Sequence, residues 1–272
     1  MAVKKAADRM LAVEKVTKTF NKGTQDEKVA LDSLDLVIRK GEFVTIIGSN
    51  GAGKSTLLNV VAGTHKPDTG TVSIDGEDVT KAPEHAMAAY LARVFQNPTL
   101  GTAATMSIEE NLSLAELRGR RRGLKWGVTS SRRKRYREIL EPLELGLENR
   151  LKDKVGLLSG GQRQSLSLLM TILVAPRLLL LDEHTAALDP KTAQKVMDLT
   201  NKMVEENNLT SLMVTHNMNQ AIRYGNRMVM LHQGRVQLDV KGKEKAELTV
   251  AEVVSKFGQT LKDETLFTAG EK

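Results

Sequence analysis

The segment GSNGAGKS, Gly48 to Ser55, has the residue types and spacing to hold phosphate. Glycines at 48, 51 and 53 let a loop curl until its backbone N–H groups point inward at phosphate oxygens, with Ser49, Asn50 and Ala52 spaced between them. A helix opening at Lys54 adds its positive N-terminal end. Lys54 reaches the β- and γ-phosphates, the Ser55 hydroxyl ligates Mg²⁺, and Thr56 completes the set. Far along the chain the apolar run LLLLDE ends in two acids. Asp182 is suited to hold Mg²⁺ directly or through water, and Glu183 to polarise a water for attack on a γ-phosphate. Alone, either stretch reads as a glycine turn or a strand leaving the core; together they point to nucleotide binding and hydrolysis.

These residues need a scaffold, and the hydrophobic pattern supplies one. Residues 10–47 alternate apolar runs with turns and read as β-rich. Residues 54–62 open as a helix, and GTVSIDGEDVT at 70–80 signals a hairpin around Asp75-Gly76. Residues 97–155 read as largely helical. From 156 onward unbroken apolar strands, RLLLLDE, LTSLMVTH and RMVMLHQGRV, alternate with a helix at 190–206. Such alternation indicates a parallel sheet covered on both faces, with ligands at its carboxyl edge. The tail from 240 is Lys/Glu-rich, and LTVAEVVSKF within it reads as a surface helix.

LSGGQ, Leu158 to Gln162, together with GSNGAGKS and LLLLDE in this order, resembles the nucleotide-binding subunit of ATP-binding cassette (ABC) transporters. Gln96 in RVFQNP resembles the Q-loop glutamine, Asp189 in AALD the D-loop aspartate, His216 in LMVTHN the switch histidine, and Phe20 in KVTKTF the aromatic that stacks on adenine. The resemblance covers residues 10–240. It implies an α/β P-loop NTPase core with a mostly parallel sheet, an N-terminal antiparallel β subdomain, an inserted α-helical subdomain at 97–165, and a short tail at 241–272. It also implies that two copies sandwich two ATP molecules, with Ser159, Gly160, Gly161 and Gln162 of one copy facing the γ-phosphate held by Lys54 of the other. Glu183, His216 and Gln96 would serve catalysis, with Gln96 sensing Mg²⁺ beside Ser55 and Asp182. Independently of the family, SGG opens an apolar helix whose N-terminus attracts an anion.

Composition narrows the setting. The 272 residues are 40% hydrophobic and 27% charged, enough for a buried core and a solvated surface. No segment approaches the roughly 18 apolar residues that cross a bilayer, and MAVKKAADRM has no apolar stretch of a signal peptide. The chain lacks cysteine, which excludes thiolate metal sites. The net charge of +7 is concentrated in residues 118–137, which hold ten cations and no acid, with Trp126 among them. Solvated surface, membrane or permease contact, and nucleic acid are all open readings of that block. The resemblance implies the cytoplasmic face of the cell membrane as the setting, peripheral through integral permease subunits, with an extracytoplasmic substrate-binding protein and no specific nucleic acid. QNPTLGTAATMSIEENL and LDEHTAALDPKTA look closest to bacterial ATPases assigned to tryptophan/tyrosine-type uptake systems, which makes an amino-acid importer the expectation. An exporter-type complex for lipoprotein or peptide, or a nucleic-acid-associated ATPase, are the alternatives.

One residue departs from the pattern. The family motif usually reads LDEPT, and this chain has His184 where proline is usual. With no cysteine and no histidine pair at i, i+4 spacing, zinc binding is not indicated. The expectation is a local turn substitution that leaves the turn freer than proline does and adds a group titrating near neutral pH, with a modest role in D-loop or dimer contacts as the alternative.

Overall fold

The computed structural model describes residues 8–119 and 127–255. In chain order the strands are β1 (Arg9–Phe20), β2 (Lys28–Arg39), β3 (Phe43–Gly48), β4 (Thr69–Ile74), β5 (Glu77–Asp78), β6 (Leu91–Val94), β7 (Leu178–Asp182), β8 (Thr210–Val214), β9 (Arg227–His232) and β10 (Arg235–Lys241). The helices are α1 (Lys54–Val61), α2 (Glu84–Met87), α3 (Ile108–Ala115), α4 (Ser130–Leu140), α5 (Gly160–Ile172), α6 (Pro190–Glu206), α7 (Met218–Arg223) and α8 (Lys243–Ala246). Among the described residues the strands form two sheets. An antiparallel sheet runs β2-β1-β4-β5, and a six-stranded sheet runs β10-β9-β3-β8-β7-β6, parallel except for β10.

Burial on both faces explains why the central strands read as unbroken apolar runs. Along β7, Leu178 and Leu180 enter one core, shared with α1 and the antiparallel sheet, while Leu179 and Leu181 enter a second, shared with α3 to α6. Leu212 and Val214 of β8 face the first core and Met213 the second. The hairpin forms where Asp75 (φ 51°) and Gly76 (φ 82°) join β4 to β5, the two consecutive positive φ values that a type I′ turn requires.

The region at 97–155 is less helical than its pattern suggests. It carries α3, α4 and three single 3₁₀ turns, at Glu141–Leu143, Leu147–Asn149 and Val155–Leu157. Ile108, Leu112, Tyr136 and Leu140 bury their apolar faces with Leu179 and Leu181 of the central sheet, so these helices share a core with it. The C-terminal segment also packs more closely than expected. Val253 is fully buried against Met228, Met230 and Val240, and Lys245 is only 2% exposed.

Among the described residues, four cations of the basic block find partners inside the fold. Arg133 makes a bidentate pair with the buried Glu109 (2.6 and 2.9 Å). Arg132 and Arg135 both pair with the buried Glu116 (3.3 and 2.9 Å), which also accepts from the Tyr136 hydroxyl. Arg118 donates to the carbonyls of Thr171 and Val174 at the end of α5, capping its negative C-terminal pole. Glu109 and Glu116, acids from outside the block, therefore neutralise part of it, which a local count of charge does not show. Arg120, Arg121, Arg122, Lys125 and Trp126 lie outside the described residues.

Candidate functional site

Four adjacent parallel strands deliver the candidate residues to one edge of the sheet. The phosphate loop follows β3, Asp182 and Glu183 close β7, His216 lies two residues beyond β8, and Gln96 two beyond β6. Register aligns these ends, with Ile46 opposite Val214, Asp182 opposite Val214, and Val94 opposite Leu181. The carboxyl edge of an open α/β sheet is where ligands bind.

The loop itself is held by close packing. Gly53 sits at φ 98°, and a Cβ there would lie 2.4 Å from the Ala30 carbonyl oxygen. Gly53 is also the N-cap of α1 and has no side chain to satisfy the first-turn N–H groups, so these stay open to an anion. Lys54 is buried and folds back to donate to the Gly48 and Ser49 carbonyls (2.8 and 2.9 Å). Burial lowers its pKa, and the nearby Glu183 carboxylate opposes that shift. Phe20, Asn50, Gly51, Ala52, Ser55, Thr56 and Glu183 line a cavity of about 300 Å³ around the loop, with Lys28 and Ala30. Phe20 is half-buried at the end of β1, edge-on to His65 at 5.3 Å, with the Lys18 ammonium 5.7 Å from its ring centre.

Glu183 and His216 meet, with His216 Nδ1 3.3 Å from Glu183 Oε2. The imidazole is 60% exposed and the carboxylate 21%, so a solvent molecule can reach both. Asp182 is already paired. Arg93 on β6 reaches its carboxylate at 2.5 Å, donates to Asn59 Oδ1 of α1 at 2.8 Å, and lies over the Phe95 ring. The donors offered to Mg²⁺ by Ser55, Asp182 and Gln96 are all oxygen, the set this hard ion prefers, and the ion completes such a shell with waters and substrate phosphates. Gln96 is exposed and does not line the cavity around the loop.

The LSGGQ segment stands apart from that cavity. Ser159 and Gln162 form a capping box at the start of α5, with Gln162 N–H on Ser159 Oγ (3.3 Å) and Ser159 N–H on Gln162 Oε1 (3.2 Å). Ser159 and Gly160 are exposed, and Gly161 is buried where a Cβ would meet Thr192 at 2.2 Å. Asp189 is exposed and caps α6 by accepting from Thr192 N–H at 3.1 Å, and its bonds to Thr192 hold its carboxyl below the usual range.

His184 is not a free turn residue. It is 2% exposed, and its Nε2 lies 3.0 Å from Thr200 Oγ1 of α6. Burial pushes its pKa down to about 4, well away from neutral pH. Sequence reasoning also passed over Arg93 and Lys28. The first had a signal, a cation inside the apolar strand LARVF. The second is brought to the loop by pairing with Phe20 across β1 and β2, which no local pattern announces.

Comparison with known proteins places this geometry. Residues 31–186 match the sequence profile described as ABC transporter. The chain is 48% identical over 248 residues to a tyrosine transport ATP-binding protein of Clostridioides difficile, covering 91% of this chain and 98% of that one. It is 34% identical to the methionine import ATP-binding protein MetN of Corynebacterium efficiens, covering 81% of this chain and 60% of that one. Among solved structures, it resembles the dimeric cassette MJ0796 bound to ADP and Pi, with a TM-score of 0.72, 34% identity and coverage of 85% and 98%. It also resembles cbiO1 of Clostridium perfringens, part of the transporter complex cbiONQ, with a TM-score of 0.74, 26% identity and coverage of 96% and 99%.

Proposed function

Given that the chain belongs to the ABC transporter family as an ATP-binding, ATP-hydrolysing subunit, we propose that it energises uptake of an amino acid or similar small solute through separate permease subunits. The observation that carries the reaction is the meeting of Glu183 and His216 at 3.3 Å beside the phosphate loop. In this reading Phe20 stacks on adenine, and the N–H groups of Gly48 to Thr56 surround the phosphates. Lys54 leaves the Gly48 and Ser49 carbonyls for the β- and γ-phosphates. Ser55, Asp182 and Gln96 would hold Mg²⁺, which when bound would supply positive charge against the phosphoryl oxygens. Glu183 accepts a proton from the attacking water while His216 orients that water and contacts the γ-phosphate. The bond from the γ-phosphorus to the bridging oxygen breaks, and ADP and phosphate leave.

Ser159, Gly160, Gly161 and Gln162 of a second copy close each site, with Asp189 at the junction, so that ATP joins two copies and hydrolysis parts them. A cleft of about 350 Å³ lined by Met87, Phe95, Leu100, Arg118 and Met170 lies beside Gln96 and supports a permease docking surface there. Likeness to a tyrosine transport protein supports an amino-acid cargo, delivered by an extracytoplasmic substrate-binding protein. The pairing of Arg132, Arg133 and Arg135 with Glu109 and Glu116 lowers the charge those arginines could offer to nucleic acid.

The direct test is Glu183→Gln. Steady hydrolysis should be abolished while ATP still drives dimer formation, read by light scattering. Persistent turnover in that variant refutes the base assignment.

A further inference from the structure

We propose that His184 is a positioning residue for hydrolysis, its hydrogen bond to Thr200 pinning the strained turn that carries Glu183 onto α6. This rests on the reading of Glu183 as the base that polarises water.

Glu183 has φ +43°, a left-handed backbone that a residue with a side chain keeps only where its surroundings over-determine it. Proline, usual at position 184, fixes its own φ through its ring. Histidine gives no such restraint, so the turn must be held by bonds. The Thr200 hydroxyl has one proton, and it is directed to the Val196 carbonyl at 2.7 Å. Thr200 therefore accepts from His184, whose Nε2–H is the donor across 3.0 Å. Both side chains are buried, His184 at 2% and Thr200 at 0% exposure, so water cannot replace the bond. The next residue is held from the other side. Gln220 donates to Thr185 Oγ1 (3.3 Å) and accepts from Thr215 Oγ1 (2.9 Å), the residue before His216. The backbone adds Glu183 N–H to the Val214 carbonyl at 3.0 Å. His184 thus secures the Glu183 turn to α6, and Gln220 ties the same turn to the strand end that presents His216. Loosening the first tie lets the carboxylate drift from the imidazole without disturbing the phosphate loop.

The test is steady-state hydrolysis by the full chain, with ATP affinity measured separately by a fluorescent ATP analogue. Thr200→Val removes the acceptor at nearly constant volume. It should lower kcat about five- to twenty-fold, with KM and nucleotide affinity within about two-fold. Thr200→Ser, which restores the hydroxyl, should recover kcat. Unchanged kcat in folded Thr200→Val, or parallel loss of nucleotide affinity, overturns the proposal. If Thr200→Val does not fold, His184→Gln, which keeps an N–H donor, should exceed His184→Leu in kcat; equal values overturn it. Glu183→Gln separates the two readings. If that variant keeps turning over, the base assignment fails. If it is inactive but the His184 and Thr200 variants match wild type, the positioning role alone fails.

Discussion

Arg93 shows how one side chain can be committed twice. Its guanidinium neutralises Asp182, ties it to Asn59 on the helix behind the phosphate loop, and stands at 14% exposure. Removing one partner of a largely buried pair leaves the other charge uncompensated. Arg93→Met should therefore cost about 2–4 kcal/mol of stability in urea unfolding, and adding Asp182→Asn should recover part of that loss. The cation in LARVF was visible in the sequence, but its partner was not, because Asp182 becomes a neighbour only through the parallel pairing of β6 with β7. His184 failed in the same way. Its replacement of proline was legible, whereas its burial and its bond to Thr200 depend on how α6 packs over the turn. By contrast, the placement of Lys54, Ser55, Asp182 and Glu183 at the carboxyl edge of the sheet was legible, because the apolar strands leading into them mark where the chain leaves the core.

Among the elements, α7 ends in a way that local pattern does not disclose. The Lys245 ammonium donates to the carbonyls of Ile222, Tyr224 and Gly225, at 2.9, 2.5 and 2.8 Å, which caps the helix following His216 with a charge from the C-terminal segment. Lys245→Met strands three buried acceptors and should cost about 2–4 kcal/mol in chemical unfolding at pH 7. Burial also lowers the Lys245 pKa from 10.5 to about 8. Between those values the unfolded chain holds a proton that the native chain has released, so this group makes stability rise with pH across that window. Unfolding midpoints of wild type and Lys245→Met at pH 7 and pH 10 check the sign, since the variant lacks this component of the slope. The expected surface helix after 240 missed this because a Lys/Glu-rich stretch gives no sign that one lysine finds three carbonyls. The strands and α6 were read closely, since burial on one face or two imposes its own period. The region at 97–155 was read as more helical than it is, because its apolar residues also fit 3₁₀ turns packed on the sheet.

For the whole molecule, the proposed site is divided between two surfaces of one chain. The phosphate loop lies at the carboxyl edge of the sheet, while Ser159 is exposed at the start of α5, so in the proposed reading a second copy supplies what the first lacks. Ser159→Asp keeps an N-cap of similar strength and sets a carboxylate against the γ-phosphate. It should preserve folding and ATP binding to the single chain while abolishing the ATP-dependent dimer, as measured by light scattering in the Glu183→Gln background. Arg132, Arg133 and Arg135, paired with Glu109 and Glu116, carry a second prediction. The protein should co-purify with membranes bearing its permease and should not be retained by RNA at ~0.15 M salt. By itself the sequence determined the chemistry, because phosphate and metal demand particular residues at short, fixed spacing, and it determined the sheet, because two-sided burial writes itself as apolar runs. Only the tertiary structure decided which charges neutralise one another and which polar groups are buried together. Arg93 with Asp182, Arg133 with Glu109, Lys245 with α7 and His184 with Thr200 are contacts between elements, and no local period or spacing encodes them.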